Sequence, residues 1–238
     1  MNPALGHAVR MFRVSSGSLR IDSIGKSVNF SVVHLTIFVK VSCFRYVIIA
    51  VMSETTSTRR DQVVQAAIDV FLRYGYARTT MADIAQAAGL SRPTLYLSFP
   101  DKDAIFHAVV DTMVADKLSE IRRRLPRYRG FETKLRYACE AWGAEGFELV
   151  QAHPDAKDMF DLGFAAVCNG YSAFEELLTE IVSAPLADSG LGIAAGDLAQ
   201  TIAFAIKGFK EIARDGADMR RMIGVQVAIV AAALGRKG

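Results

Sequence analysis

Residues 79–102 read T-T-M-A-D-I-A-Q-A-A-G-L-S-R-P-T-L-Y-L-S-F-P-D-K. Thr80 stands three residues before Asp83, the spacing of a capping box, so a helix opens there. It stops at Gly89, and a second helix begins almost at once. Ser91 can cap that second helix, and Pro93 falls in its first turn, where a missing N–H does no harm. Pro100 ends it near Phe99, and Asp101 caps the next helix. Two short helices around a glycine corner form a helix-turn-helix. Ile84, Ala88, Leu90 and Leu95 supply its inner contacts, and Ala85 is small where the helices cross. With Leu95 inward, Arg92, Thr94, Tyr96 and Ser98 fall on outer or flanking faces.

Those polar groups suit the edge of a DNA duplex, with the start of the second helix entering the major groove. Arg92 can donate two hydrogen bonds to guanine or pair with a phosphate. Thr94 and Ser98 can reach phosphate or base edges. Tyr96 can lie on the sugar–phosphate wall, and Leu97 can touch a thymine methyl. Thr80 can bring a backbone N–H to phosphate. Lys102 opposes the helix dipole where it stands, and a nearby phosphate would reverse that sign. For Tyr96 the competing reading is a half-buried core aromatic, and for Lys102 a random surface lysine.

Working outward, residues 71–106 resemble the tetracycline-repressor (TetR) family of bacterial transcription regulators. The matching text is F-L-R-Y-G-Y-A-R-T-T-M-A-D-I-A-Q-A-A-G-L-S-R-P-T-L-Y-L-S-F-P-D-K-D-A-I-F. It holds a helix ending in glycine, a Thr-capped helix with D-I-A, then A-G-L-S, T-L-Y, an aromatic, and a lysine opening the fourth helix. The resemblance implies a homodimer with one reading helix per subunit in the major groove. It carries over Thr80, Arg92, Thr94, Tyr96 and Lys102 as DNA-contact positions, within a candidate interface that also takes in Ser91, Pro93, Leu97 and Ser98. Ser98 departs from the family's usual His or Tyr, which puts one phosphate contact in doubt, and Leu97 stands at a position the family varies.

From Met52 onward everything reads as helix, so the fold class is all-α. An amphipathic helix over 58–74 has Val64, Ala67, Ile68, Phe71 and Tyr74 on one side and ends at Gly75. A long helix over 102–124 closes with Arg122, Arg123 and Arg124, charges that suit a helix C-terminus. Further helices are expected near 131–151, 155–168, 170–184, 196–214 and 218–234. Breaks are expected at His153-Pro154, Asn169-Gly170, Pro185–Gly196 and Asp215-Gly216. The domain scheme is a helix-turn-helix domain over 52–101 and a helical effector-binding and dimerisation domain over 102–238.

Residues 1–51 stand apart. They carry six basic side chains against Asp22, a charge of +5, which leaves −2 on the remaining 187 residues of a chain whose net charge is +3. The basic pI is therefore no argument for nucleic-acid binding. The apolar run over 28–51 is interrupted by His34, Lys40 and Arg45, too often for a membrane span. Met52 opens a polar stretch like an ordinary protein N-terminus, and we read residues 1–51 as an over-extended start or an apolar extension.

Cys43, Cys139 and Cys168 make no C-x-x-C and no disulfide framework, which suits a reducing cytoplasm. His7, His34, His107 and His153 have no metal-ligand spacing, and no cofactor is expected. There is no nucleophile elbow and no glycine-rich phosphate loop, which argues against an enzyme. The other rival is a helical interaction module without DNA binding.

A regulator of this kind needs a sensor. Trp142, Phe147, Met159, Phe160, Phe164, Tyr171 and Phe174 concentrate aromatic and soft side chains in one stretch and are candidates for a mostly apolar effector pocket. Ordinary core packing competes for each of them. Glu145, His153, Asp158 and Asp161 are candidates to orient a polar end. The last two helices are candidates for a four-helix dimer interface, through Ala199, Ile202, Ala203, Ile206 and Phe209 on one and Val225 and Ile229 on the other.

Overall fold

The computed structural model describes residues 59–235. The readings of residues 1–51 and of Met52 as a start lie outside the described residues. Helix α1 covers residues 59–78. It is followed by α2 (Met81–Ala87), α3 (Arg92–Ser98) and α4 (Lys102–Arg124), and then by α5 (Phe131–Cys139) and α6 (Glu145–Ala152). The last three are α7 (Ala165–Ser189), α8 (Ala195–Ile212) and α9 (Gly216–Leu234). No strand occurs among the described residues.

Two buried clusters organise these helices. The first gathers Val63, Ala67 and Phe71 of α1, Ile84 of α2 and Leu95 of α3 around Ile105, Phe106 and Val109 of α4. Met159, Val167 and Tyr171 join it from the second half of the chain. The second cluster holds Ile121, Leu135, Phe174, Leu178, Ile206 and Ile223, with α7 packed along α8 and α5 against α9. Helix α4 supplies both, since Val109 is in the first and Leu118 in the second. No helix among the described residues is long and apolar enough to cross a membrane.

Several boundaries differ from the expected ones. Gly75 does take a left-handed φ of +74°, but the helical turn resumes and runs to residue 78. The change of direction leaves Tyr74 exposed and turns Tyr76, instead, against Phe71, Phe106 and Phe164. The expected break at Asn169-Gly170 is absent, because α7 runs through both residues. Gly170 is there for a close crossing: a Cβ on it would lie 2.8 Å from Val114 Cγ2 of α4. Helix α7 also continues through Pro185 and ends at Gly190, with φ +71°.

The expected helix over 155–168 is instead a 3-10 segment, Pro154–Phe160, followed by a turn. Residues 131–152 form one helical run interrupted by a π turn, Glu140–Ala144. Such turns widen a helix locally and are frequent at functional sites.

Candidate functional site

The helix-turn-helix is built as its caps dictate. Thr80 Oγ1 accepts from Asp83 N at 3.3 Å, and Thr80 N donates to the Asp83 carboxylate at 2.9 Å. Thr80 Oγ1 also donates to that carboxylate at 2.7 Å, and the bonds it receives, the hydroxyl's first and the backbone N–H's second, hold the Asp83 carboxyl below the usual carboxylate range. They also occupy the Thr80 N–H that the sequence offered to phosphate. Gly89, φ +67°, makes the corner. Ser91 Oγ accepts from Thr94 N at 3.2 Å and shares a 2.7 Å hydrogen bond with Thr94 Oγ1.

Leu95 is fully buried and anchors α3. Ser91, Arg92, Pro93, Tyr96 and Leu97 are exposed, and Thr94 and Ser98 are half-buried. Leu97 is 84% exposed, an apolar side chain with almost no cover. Helix α1 braces this pair from behind. Gln62 Nε2 donates to Ala88 O at 2.9 Å, and Arg60 donates to Ser98 O while lying 4.0 Å over the Phe99 ring.

Lys102 has a partner that the sequence did not reveal. Its Nζ donates to Tyr76 O at 2.8 Å and sits 4.1 Å from the centre of the Tyr76 ring. The Tyr76 hydroxyl in turn donates to Asp103, and burial first, then Asp103, pushes its pKa up to about 12. The end of α1 is thus tied to the start of α4.

It is tied equally to the 3-10 segment. Tyr76 N donates to Asp158 Oδ1 at 3.0 Å and Ala77 N to Asp158 Oδ2 at 2.8 Å. Arg78 pairs with Asp155 at 2.6 Å. Asp158, one of four candidates to orient a polar end, instead clamps the turn that leads into Thr80.

That 3-10 segment also walls a cavity of about 160 Å³ between α4, the π turn, α6, α7 and α8. Of the seven aromatic and soft candidates, Trp142, Met159, Phe160 and Tyr171 line it. Phe174 does not: it is fully buried, with its ring stacked 4.6 Å from Trp142. Phe164 packs instead on Tyr76 and Phe106 in the first core. Phe147 faces a second, wider opening beside the 3-10 segment.

None of Glu145, His153, Asp158 or Asp161 lines the 160 Å³ cavity. Its polar lining is Lys117, Lys207 and Lys210. The sequence held a trace of this, because Lys207 and Lys210 stand one turn apart on the otherwise apolar α8. Lys117 bonds Glu120 at 2.9 Å and Glu145 at 2.8 Å. Burial and the Lys207 charge bring the Lys210 pKa down to about 8.

The dimer candidates divide. Ala199, Ile202, Ala203 and Ile206 are buried at 0 or 1% exposure within the second core of their own chain, so they are corrected from interface to core. The period of α8 marked one apolar face without saying which partner it met. Phe209, Val225 and Ile229 line an open groove between α8 and α9. Val225 and Ile229 are 52% and 65% exposed, and Phe204 and Ile212 add apolar surface to α8.

Comparison with known proteins agrees with this geometry. Residues 63–109 match the family described as bacterial regulatory proteins, tetR family. The chain is 30% identical over 104 residues to the uncharacterized HTH-type transcriptional regulator YvdT of Bacillus subtilis, covering 44% of this chain and 52% of that protein. It is 34% identical over 98 residues to the HTH-type transcriptional activator FasR of Mycolicibacterium smegmatis, covering 39% and 45%. The chain thus spans about half the length of the curated relatives it matches. The structure of the fatty acid degradation regulator FadR from Bacillus halodurans superposes with a TM-score of 0.56 at 17% identity, over 71% of this chain and 94% of that one. At that identity the likeness concerns the fold alone.

Proposed function

Because residues 63–109 match the tetR family of bacterial regulatory proteins, we propose that the chain represses transcription as an effector-responsive homodimer. Each subunit sets α3 in the major groove of a palindromic operator, with the two reading helices about one DNA turn, roughly 34–36 Å, apart. Arg92 reads a base edge, Tyr96 and Thr94 contact the backbone, and Leu97 meets a thymine methyl. The observation that carries this reading is the exposed edge of α3, where Arg92, Tyr96 and Leu97 face outward from a helix anchored by Leu95.

The dimer forms through the groove and apolar surface of α8 and α9. The effector occupies the cavity beside Trp142 and Tyr171. It shifts the spacing of the reading helices by moving the 3-10 segment, whose Asp158 and Asp155 hold the end of α1. An effector weakens operator binding only by its differential affinity for the two states, typically about 1–3 kcal/mol of coupling. Activation is the second reading, favoured by the description of FasR as an activator.

Selection from a random DNA pool by the purified full chain, repeated at several salt concentrations, tests the proposal. Enrichment of an inverted repeat supports it. No enrichment even at low salt, where phosphate contacts are strongest, refutes it in favour of an interaction module. Tyr96→Phe should then weaken binding to all sequences alike, and Arg92→Ala should also change the preferred sequence.

A further inference from the structure

The cavity's charges do not match the apolar effector that its aromatic lining suggests. Three lysines reach it from two helices, and no Asp or Glu lines it. Two of the three are compensated: Lys117 by Glu120 and Glu145, and Lys207 by Glu211 at 3.4 Å. Lys210 has no ion pair or hydrogen-bond acceptor among the described residues. Its Nζ reaches across to α6, where Gly146 leaves it room: a Cβ at that position would stand 3.2 Å from the nitrogen.

A second unpaired group lies in the wall. Trp142 lines the same cavity, and its buried Nε1–H has no partner among the described residues. Buried polar groups are normally bonded, and a buried charge without a partner is costly. Here a cation without a hydrogen-bonded acceptor lines one small apolar chamber, beside an indole ring whose own buried N–H is also unpaired.

We propose that this cavity takes a small organic carboxylate, its anionic head on Lys210 and its apolar body against Trp142, Met113, Met159 and Tyr171. The size follows from the volume. A cavity of about 150 Å³ holds a benzene molecule, so the ≈160 Å³ here suits one aromatic ring or a short aliphatic chain. Lys207 and Lys117 guide the head but are already paired, so Lys210 carries the selectivity. The lowered pKa of Lys210 agrees with an ammonium whose burial and like-charged neighbour Lys207 outweigh the more distant Glu211 carboxylate. An arriving carboxylate supplies a counter-charge and holds the lysine protonated. The inference deepens the effector reading above and rests on it for biological meaning, but not for its test.

The test is direct binding to the full chain without DNA. Benzoate, phenylacetate, hexanoate and octanoate are each compared with their neutral amides by thermal shift and calorimetry. At least one carboxylate should bind, and bind tighter than its amide. Lys210→Met keeps the aliphatic stem and removes the charge. It should weaken the carboxylate by about 10- to 100-fold, the usual worth of a hydrogen bond to a charged group, and leave amide binding within about 2-fold. Lys207→Met, which removes a paired lysine, should cost less than Lys210→Met; melting curves without ligand report whether either variant is folded.

The proposal is overturned if no carboxylate is preferred to its amide, or if the preference survives in a folded Lys210→Met. If a carboxylate binds as expected but leaves operator affinity unchanged, the site stands and the effector reading fails. If the chain selects no DNA at all, the regulator reading fails while the binding result keeps its meaning.

Discussion

Replacing Gly75 by alanine should destabilise the protein far more than the same change at Gly89, although both glycines have nearly the same backbone conformation. Their φ values are +74° and +67°. The left-handed conformation alone costs an L-residue roughly 1–2 kcal/mol, and this should be the whole effect at Gly89, where a new Cβ meets nothing within 4 Å. At Gly75 the Cβ would stand 2.3 Å from the backbone oxygen of Asp155 and 2.8 Å from Asp158 Oδ1. A backbone oxygen cannot rotate away as a side-chain tip can, so the 3-10 segment must retreat. Retreat stretches the two hydrogen bonds from Tyr76 N and Ala77 N to the Asp158 carboxylate. Hydrogen bonds to charged groups are worth about 1.5–3 kcal/mol each. Partial loss of both, added to the backbone cost, gives roughly 3–5 kcal/mol for Gly75→Ala. Urea unfolding of the two variants and wild type, with a shared slope, measures the difference. Equal losses at the two glycines would refute the idea that the 3-10 segment is locked to α1. A loss confined to Gly75→Ala that Asp158→Ala does not reduce would locate the clash at Asp155 alone.

Gly170→Ala should cost about 1–3 kcal/mol by overpacking against Val114, and Val114→Ala should relieve part of it, a coupling that a double-mutant cycle in urea measures. Ile229→Asp should shift the particle to half its mass in sedimentation while leaving the far-ultraviolet helical signal intact, because this side chain is 65% exposed in the protomer. Lys210 gives a pH signature. Its folded pKa, about 8, lies below the ordinary lysine value, so between the two the unfolded chain binds more protons and stability rises with pH. Lys207, Glu211, Lys117 and Tyr171 face the same region, and the raised pKa values of Cys139, Tyr76 and Tyr171 act in the opposite direction at higher pH. The difference between wild type and Lys210→Met across about pH 8–10 isolates the lysine, and it should grow in favour of wild type as pH rises.

How much was legible depended on whether the signal was local. Thr80, Asp83, Gly89, Ser91, Pro93 and Asp101 act on neighbours within a few residues, and each cap and corner formed where it was expected. Asn169-Gly170 and Pro185 carried the same local vocabulary but were overruled, because α7 gains more by packing along α4 and α8 than it loses at those residues. Among the effector candidates, Trp142, Met159, Phe160 and Tyr171 line the cavity, but aromatic composition could not tell them from Phe164 and Phe174, which fill cores. Lys210 looked like any surface cation on an apolar helix until Gly146 and Trp142 were seen beside it.

By itself, then, the chain's order of residues determined the all-α class, the helix-turn-helix and the outward edge of α3, since capping, helical period and a left-handed glycine are properties of short segments. Only the tertiary structure decided that Asp158 grips the end of α1, that Ala199, Ile202, Ala203 and Ile206 face their own core, and that a lysine without an ion pair lines the same chamber as Trp142. Those are contacts between residues far apart in sequence. A helix's period says which of its faces is apolar or polar, but the partner waiting across the gap is set by how the helices cross.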